Sequence, residues 1–162
     1  MIAELIDTKS PVWTRCLRAM SHDFYHLPDY VELCAKHDGG AAAAFYAEEG
    51  QSTFLAPLIL HRLPAELGAP SDWRDCRSPY GYPTPLIRPS QDMLPDFLNA
   101  FCRAARQRDI VTAFFRLHPL LPLDHRVLEK FGQLIPHGQT IYFDLAKSKD
   151  DLWSQVSTNH RR

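Results

Sequence analysis

An α/β fold, with a mixed and largely antiparallel sheet flanked by helices, is predicted by three features of this 162-residue sequence. A β-like stretch is followed by two helix-like ones. Two further β-like runs bracket a short polar turn. One strongly amphipathic segment then leads into an apolar run rich in β-branched and aromatic residues. The length fits one domain, enough to bury most of the surface that the unfolded chain exposes.

Taken in order, residues 2–6 read as a short strand. Ser10 and Pro11 open a helix whose apolar positions Val12, Cys16 and Met20 recur every four residues. Pro28 opens a second helix, with Tyr30, Val31 and Cys34 on one face and Gly39 as its stop. Residues 41–47 and 53–63 flank Glu48-Glu49-Gly50-Gln51 and read as a hairpin. Residues 64–89 are irregular apart from a short strand near Leu86 and Ile87, and irregularity over that length points to a functional loop.

Pro95 starts a long helix whose stripe of Leu94, Phe97, Leu98, Phe101 and Ala105 is a core-packing pattern. Arg103, Arg106 and Arg108 at its end suit the negative pole of a helix dipole better than an RNA site. Residues 110–117, IVTAFFRL, read as a buried strand running into His118-Pro119. A shorter helix around Leu128 and Phe131 ends at Gly132, and residues 139–145 read as another strand. Ser148 with Asp151 three positions on has capping-box spacing for a last helix, which carries Trp153 and Val156 on its apolar stripe.

The segment RSPYGYPTPLIR, residues 77–88, is too interrupted for a helix. Pro79, Pro83 and Pro85 fix their own φ and extend the residue before them, while Gly81 is free to take positive φ. A rigid loop that shows tyrosine hydroxyls beside guanidinium groups suits a polar or anionic ligand. The competing interpretation is a Pro-rich crossover whose tyrosines lie flat on the sheet.

A YGYPTPL loop, a strand ending FFRLHP, and TIYFDLAKSKDDLW running into the basic Asn159-His160-Arg161-Arg162, in that order, resemble the Fem family. These are peptidoglycan aminoacyltransferases and acyltransferase relatives built from two tandem GNAT-like (acyl-CoA N-acyltransferase) domains. The resemblance covers the chain from about His22 onward and corresponds to the first of the two. It implies a single GNAT-like domain over residues 1–162, forming the N-terminal half of a two-domain enzyme and supplying the acceptor side of an acyl or aminoacyl transfer. The opening order of strand, two helices and antiparallel strand pair is also that of the GNAT fold.

On the resemblance, the cleft lies between the YGYPTPL loop, the end of the FFRLHP strand and the partner domain. Tyr80, Tyr82, Arg88, Arg116 and His118 are then the groups that face a small-molecule or peptide acceptor. No catalytic residue is identified. Where Fem enzymes often carry an acid just after the loop, this chain has Arg88, which points to an anionic acceptor and away from a peptidoglycan precursor. The partner implied is a second GNAT-like domain or another copy of the chain. The donor for the whole protein is acyl-CoA or aminoacyl-tRNA, and tRNA is the one nucleic acid expected.

A GNAT enzyme cradles the coenzyme pyrophosphate on backbone N–H groups of a Gly-rich turn at a helix N-terminus. The seven glycines here include no G-x-G, and Pro89 lacks one of the donors such a cradle needs. No cofactor is therefore expected on this domain alone. Two alternatives remain: a non-catalytic GNAT-fold module for binding or dimerisation, and a compact N-acetyltransferase with a degenerate coenzyme site.

Other chemistries are disfavoured. His22 and His26 have the four-residue spacing of two zinc ligands on a helix, but Pro28 follows too closely and no third ligand is in register, so no metal is expected. Cys76 with His118 has no oxyanion-hole signature, and G-x-S-x-G is absent. The formal charge of −1 offers no global attraction for nucleic acid or anionic membrane. Cys16, Cys34, Cys76 and Cys102 are widely spaced and read as core residues of a reducing compartment. With no signal-like start and no long uncharged apolar run, the expectation is a cytoplasmic protein without a membrane span.

Overall fold

The computed structural model of the chain describes residues 1–157, and Asn159 to Arg162, the basic end of the resemblance, lie outside them. Within these residues the chain is α/β: six strands form one mostly antiparallel sheet with helices on both faces. The path across the sheet is β1 (Ile2–Ile6), β2 (Ala41–Glu49), β3 (Ser52–Arg62), β4 (Arg74–Arg77) and β6 (Ile110–Phe114), with β5 (Leu86–Arg88) also paired to β3. Only β4 and β6 run parallel.

Alternation along the two longest strands separates two cores. Phe45, Phe54, Ala56 and Leu58 face α3 (Leu94–Arg106), while Tyr46, Leu55 and Ile59 face α1 (Pro11–Ala19) and α2 (Pro28–Asp38). All three helices begin with proline in the first turn, where its missing N–H costs no intrahelical bond. Gly39 closes α2 at φ 70°, as its position predicts. The stripe predicted for α3 is buried throughout, from Leu94 to Ala105, and each leucine and phenylalanine in it contributes about 1.5–3 kcal/mol relative to exposure. Cys16, Cys34 and Cys76 are buried free thiols, and burial pushes the Cys76 thiol up to about 12.

The feature that positions the loop lies on the far edge of β3. Strand β5 pairs with Thr53 to Leu55 and β4 with Ile59 to Arg62, so the two are halves of one broken strand. Between them, residues 78–85 leave the sheet as a loop. Pro57 sits on β3 at the break, where a missing N–H harms the sheet least.

Four expectations need correction. Strand β4 formed inside the stretch expected to be irregular, because its partners on either side are distant in sequence. The run expected as a buried strand over residues 110–117 is strand only to Phe114, and residues 111–114 are exposed because β6 is an edge strand with β4 as its neighbour, while Phe115 and Leu117 are half-buried against the core. The helix expected to hold Leu128 and Phe131 and end at Gly132 is the single turn α4 (His125–Leu128), opened by Asp124 accepting from the Arg126 and Val127 amides and followed by a turn through Phe131. Residues 139–145 are not a strand: among the described residues no edge pairs with them, and Ile141, Tyr142, Phe143 and Leu145 stand in solvent. The last helix does form, as α5 (Lys149–Gln155), with Ser148 accepting from the Asp151 amide at 3.2 Å.

Candidate functional site

The loop is held at its base by Ser78, a buried residue. Its amide donates to the Phe114 carbonyl at 2.8 Å and its hydroxyl accepts from the Arg116 amide at 2.9 Å. These bonds continue the β4–β6 pairing past the strand ends and bring Arg116 beside the loop. The Arg116 guanidinium then lies 5.0 Å from the Phe114 ring centre and 6.0 Å from that of Tyr80, a cation between two π faces.

The far side of the loop rests on a 3-10 turn, Phe24–His26, between α1 and α2. Asp23 caps this turn, and the Asp23 amide donates to His26 Nδ1 at 3.1 Å. With Nδ1 accepting, the His26 proton sits on Nε2 and is donated to the Thr84 carbonyl at 2.9 Å. Trp13 Nε1 donates to the His26 carbonyl at 2.9 Å, which ties α1 to the same turn. Burial is the main reason that the His26 pKa is lowered, so the ring is held neutral.

Gly81 meets the Tyr25 ring so closely that no Cβ fits, and its φ of 91° is one that side chains rarely adopt. Tyr30 donates to the Tyr80 carbonyl at 3.2 Å. Tyr25 and Tyr82 pack edge to face with ring centres 6.0 Å apart, and Tyr82 and His118 do so at 6.2 Å. Desolvation, with a smaller contribution from Cys34, pushes the Tyr30 hydroxyl up to about 12.

His118 is fixed at both nitrogens. Its Nδ1 accepts from the Leu120 and Leu121 amides at 3.0 and 3.2 Å, which leaves the proton on Nε2 for the Asp23 carboxylate at 3.2 Å. Neither nitrogen is free to take a proton from a substrate, and the residue acts as a strut between the end of β6 and the 3-10 turn.

Four of the five residues singled out in the sequence thus come together: Tyr80, Tyr82, Arg116 and His118. Arg88 does not join them. It ends β5 opposite Thr53, and its charge is felt by the Cys16 thiol under α1. The supporting residues Asp23, Tyr25, His26 and Ser78 were missed, although the spacing of Asp23 and His26 ahead of Pro28 is a capping signal. The assembled surface is an open platform: Tyr80 and Tyr82 are exposed, and among the described residues their hydroxyls carry no hydrogen bond. Two surface clefts, of about 280 Å³ beside Arg74 and Arg108 and about 590 Å³ beside Glu32 and Lys36, share no residue with it.

Among the described residues no cluster of three or more histidines, cysteines and carboxylates could hold a metal ion. No described helix is long and apolar enough to cross a membrane. Comparisons with protein-family models, with curated proteins and with solved structures found no match to this chain.

Proposed function

We propose that this chain is the acceptor-side half of a Fem-like acyl- or aminoacyltransferase with a GNAT-like fold. The observation that carries the reading is the placement of Tyr80, Tyr82 and Arg116 on one braced surface, where the broken strand β4–β5 diverges from the end of β6. Acyl transfer to an amine requires an unprotonated, oriented nucleophile and a polarised carbonyl, and no covalent enzyme nucleophile. The tyrosine hydroxyls and the guanidinium can orient a polar or anionic acceptor. Proton removal and carbonyl polarisation fall to the proposed second domain, which also holds the acyl-CoA or aminoacyl-tRNA. The proposed setting is cytoplasmic.

A specific observation favours a second reading, a non-catalytic binding module: both nitrogens of His118 are committed to structure, so the platform has no free base of its own. Two titrations of the chain test the first reading. Acetyl-CoA should bind with a dissociation constant weaker than about 10 μM, near −7 kcal/mol. Tighter binding rejects the acceptor-half reading in favour of a compact N-acetyltransferase. A short lysine peptide with an acidic neighbour should bind and shift the Tyr82 and Arg116 resonances, whereas binding that shifts neither removes the platform from the reaction.

A further inference from the structure

Among the described residues, strand β6 has an unpaired edge, and residues 140–145 carry a strand-like sequence that pairs with nothing. Among the described residues, β6 is paired along one edge alone, and its sequence IVTAF contains no charge, proline or glycine to discourage pairing along the other. The opposite edge of the sheet, β1, carries Glu4. Residues 140–145, TIYFDL, alternate and are rich in β-formers, without proline or glycine. Yet Ile141 is 86% exposed, Phe143 71% and Leu145 84%.

The total surface gives the scale. A compact chain of 18.6 kDa is expected to expose about 8,200 Å², so the 10953 Å² observed is a surplus of about 2,700 Å². A standard specific interface takes about 800 Å² from each partner, so the surplus is ample for one. A net charge of −1 puts little repulsion between two copies.

We infer that the chain forms a twofold dimer by strand donation, in which residues 140–145 of each copy add to the open edge of β6 in the other. Each copy then offers one edge and one strand, and reciprocal exchange satisfies both within a closed pair. The inference does not rest on the transfer reaction proposed above.

Two variants of the full chain test it from opposite sides. The Phe114 carbonyl accepts from Ser78 across the β4 side, so strand alternation turns the neighbouring Ala113 N–H toward the open edge. Ala113→Pro therefore blocks donation while sparing the ladder to β4. Ile141→Glu spoils the donated strand instead. Sedimentation at about 50 μM should give twice the chain mass for the unaltered protein and a monomer for each variant, with unchanged circular dichroism and at least a tenfold weaker dimer constant, about 1.4 kcal/mol. An equimolar mixture of the two variants should recover association, because one intact edge then meets one intact strand. A monomeric unaltered chain at that concentration overturns the inference. So does a dimer indifferent to both variants, or amide-exchange protection of residues 140–145 that persists in dilute monomer and marks docking within one chain.

Discussion

His118 donates from Nε2 to the carboxylate of Asp23, 3.2 Å away across 95 positions of sequence, and its other nitrogen receives two backbone amides. The pair closes a ring of contacts around the 78–85 loop. A side chain used in this way answers to stability before it answers to chemistry.

Replacing His118 by Ala should therefore lower unfolding free energy by about 1–3 kcal/mol, because the Leu120 and Leu121 amides lose their acceptor and Asp23 loses its donor. Chemical denaturation measures this directly. A change below about 0.5 kcal/mol, the range of ordinary surface substitutions, would remove the strut from the account.

His26 carries a pH dependence whose sign follows from its lowered pKa. The unfolded chain takes up a proton near the ordinary histidine value of about 6.5, while the folded chain resists until lower pH. Stability from the neutral ring is thus complete above about pH 6.5 and declines as pH falls from there toward the lowered folded value. Melting temperature should drop between pH 7 and 5, and less steeply in His26→Gln. Equal slopes in the two proteins would show that the dependence comes from another group.

Gly81→Ala should destabilise the chain by about 1–3 kcal/mol, since φ is 91° and the new methyl meets the Tyr25 ring. Adding Tyr25→Ala removes the steric part alone. In a double-mutant cycle the pair should accordingly lose at least about 0.5 kcal/mol less than the sum of the two single losses, and strict additivity would mean that the ring does not touch the loop in solution.

Tyr82→Phe and Arg116→Ala distinguish a site from a scaffold. If the exposed Tyr82 hydroxyl makes one hydrogen bond of about 1.5 kcal/mol to the acceptor, its loss weakens acceptor binding or turnover about tenfold and leaves melting unchanged. The crossover interpretation expects the reverse, intact binding with lowered melting. For Arg116→Ala both quantities should fall, because its guanidinium also lies against Phe114 and Tyr80.

Much of the frame was legible because local chemistry and tertiary context agree. Pro11, Pro28 and Pro95 start helices, Gly39 stops one, and the Leu94 to Ala105 stripe finds a core. Pairing defeats such reading. Arg74 to Arg77 has no strand pattern of its own and becomes β4 because β3 and β6 lie on either side. Residues 140–145 have the pattern and lack a described partner. At the platform, Tyr80, Tyr82, Arg116 and His118 were singled out on the Fem resemblance, and the fold brings them together. Which of them are braces was invisible, because the amides of Leu120 and Leu121 and the carboxylate of Asp23 meet His118 through the fold and not through spacing.

The broken strand also bears on how such a chain can change. Because β4 and β5 are each registered independently on β3, the number of residues between them is uncoupled from the alignment of the sheet. Insertions between Ser78 and Thr84 leave the ladders of β3 in place. The exposed tip around Tyr80 and Tyr82 can be changed while the frame beneath keeps its register, which makes it the natural graft point for a new specificity.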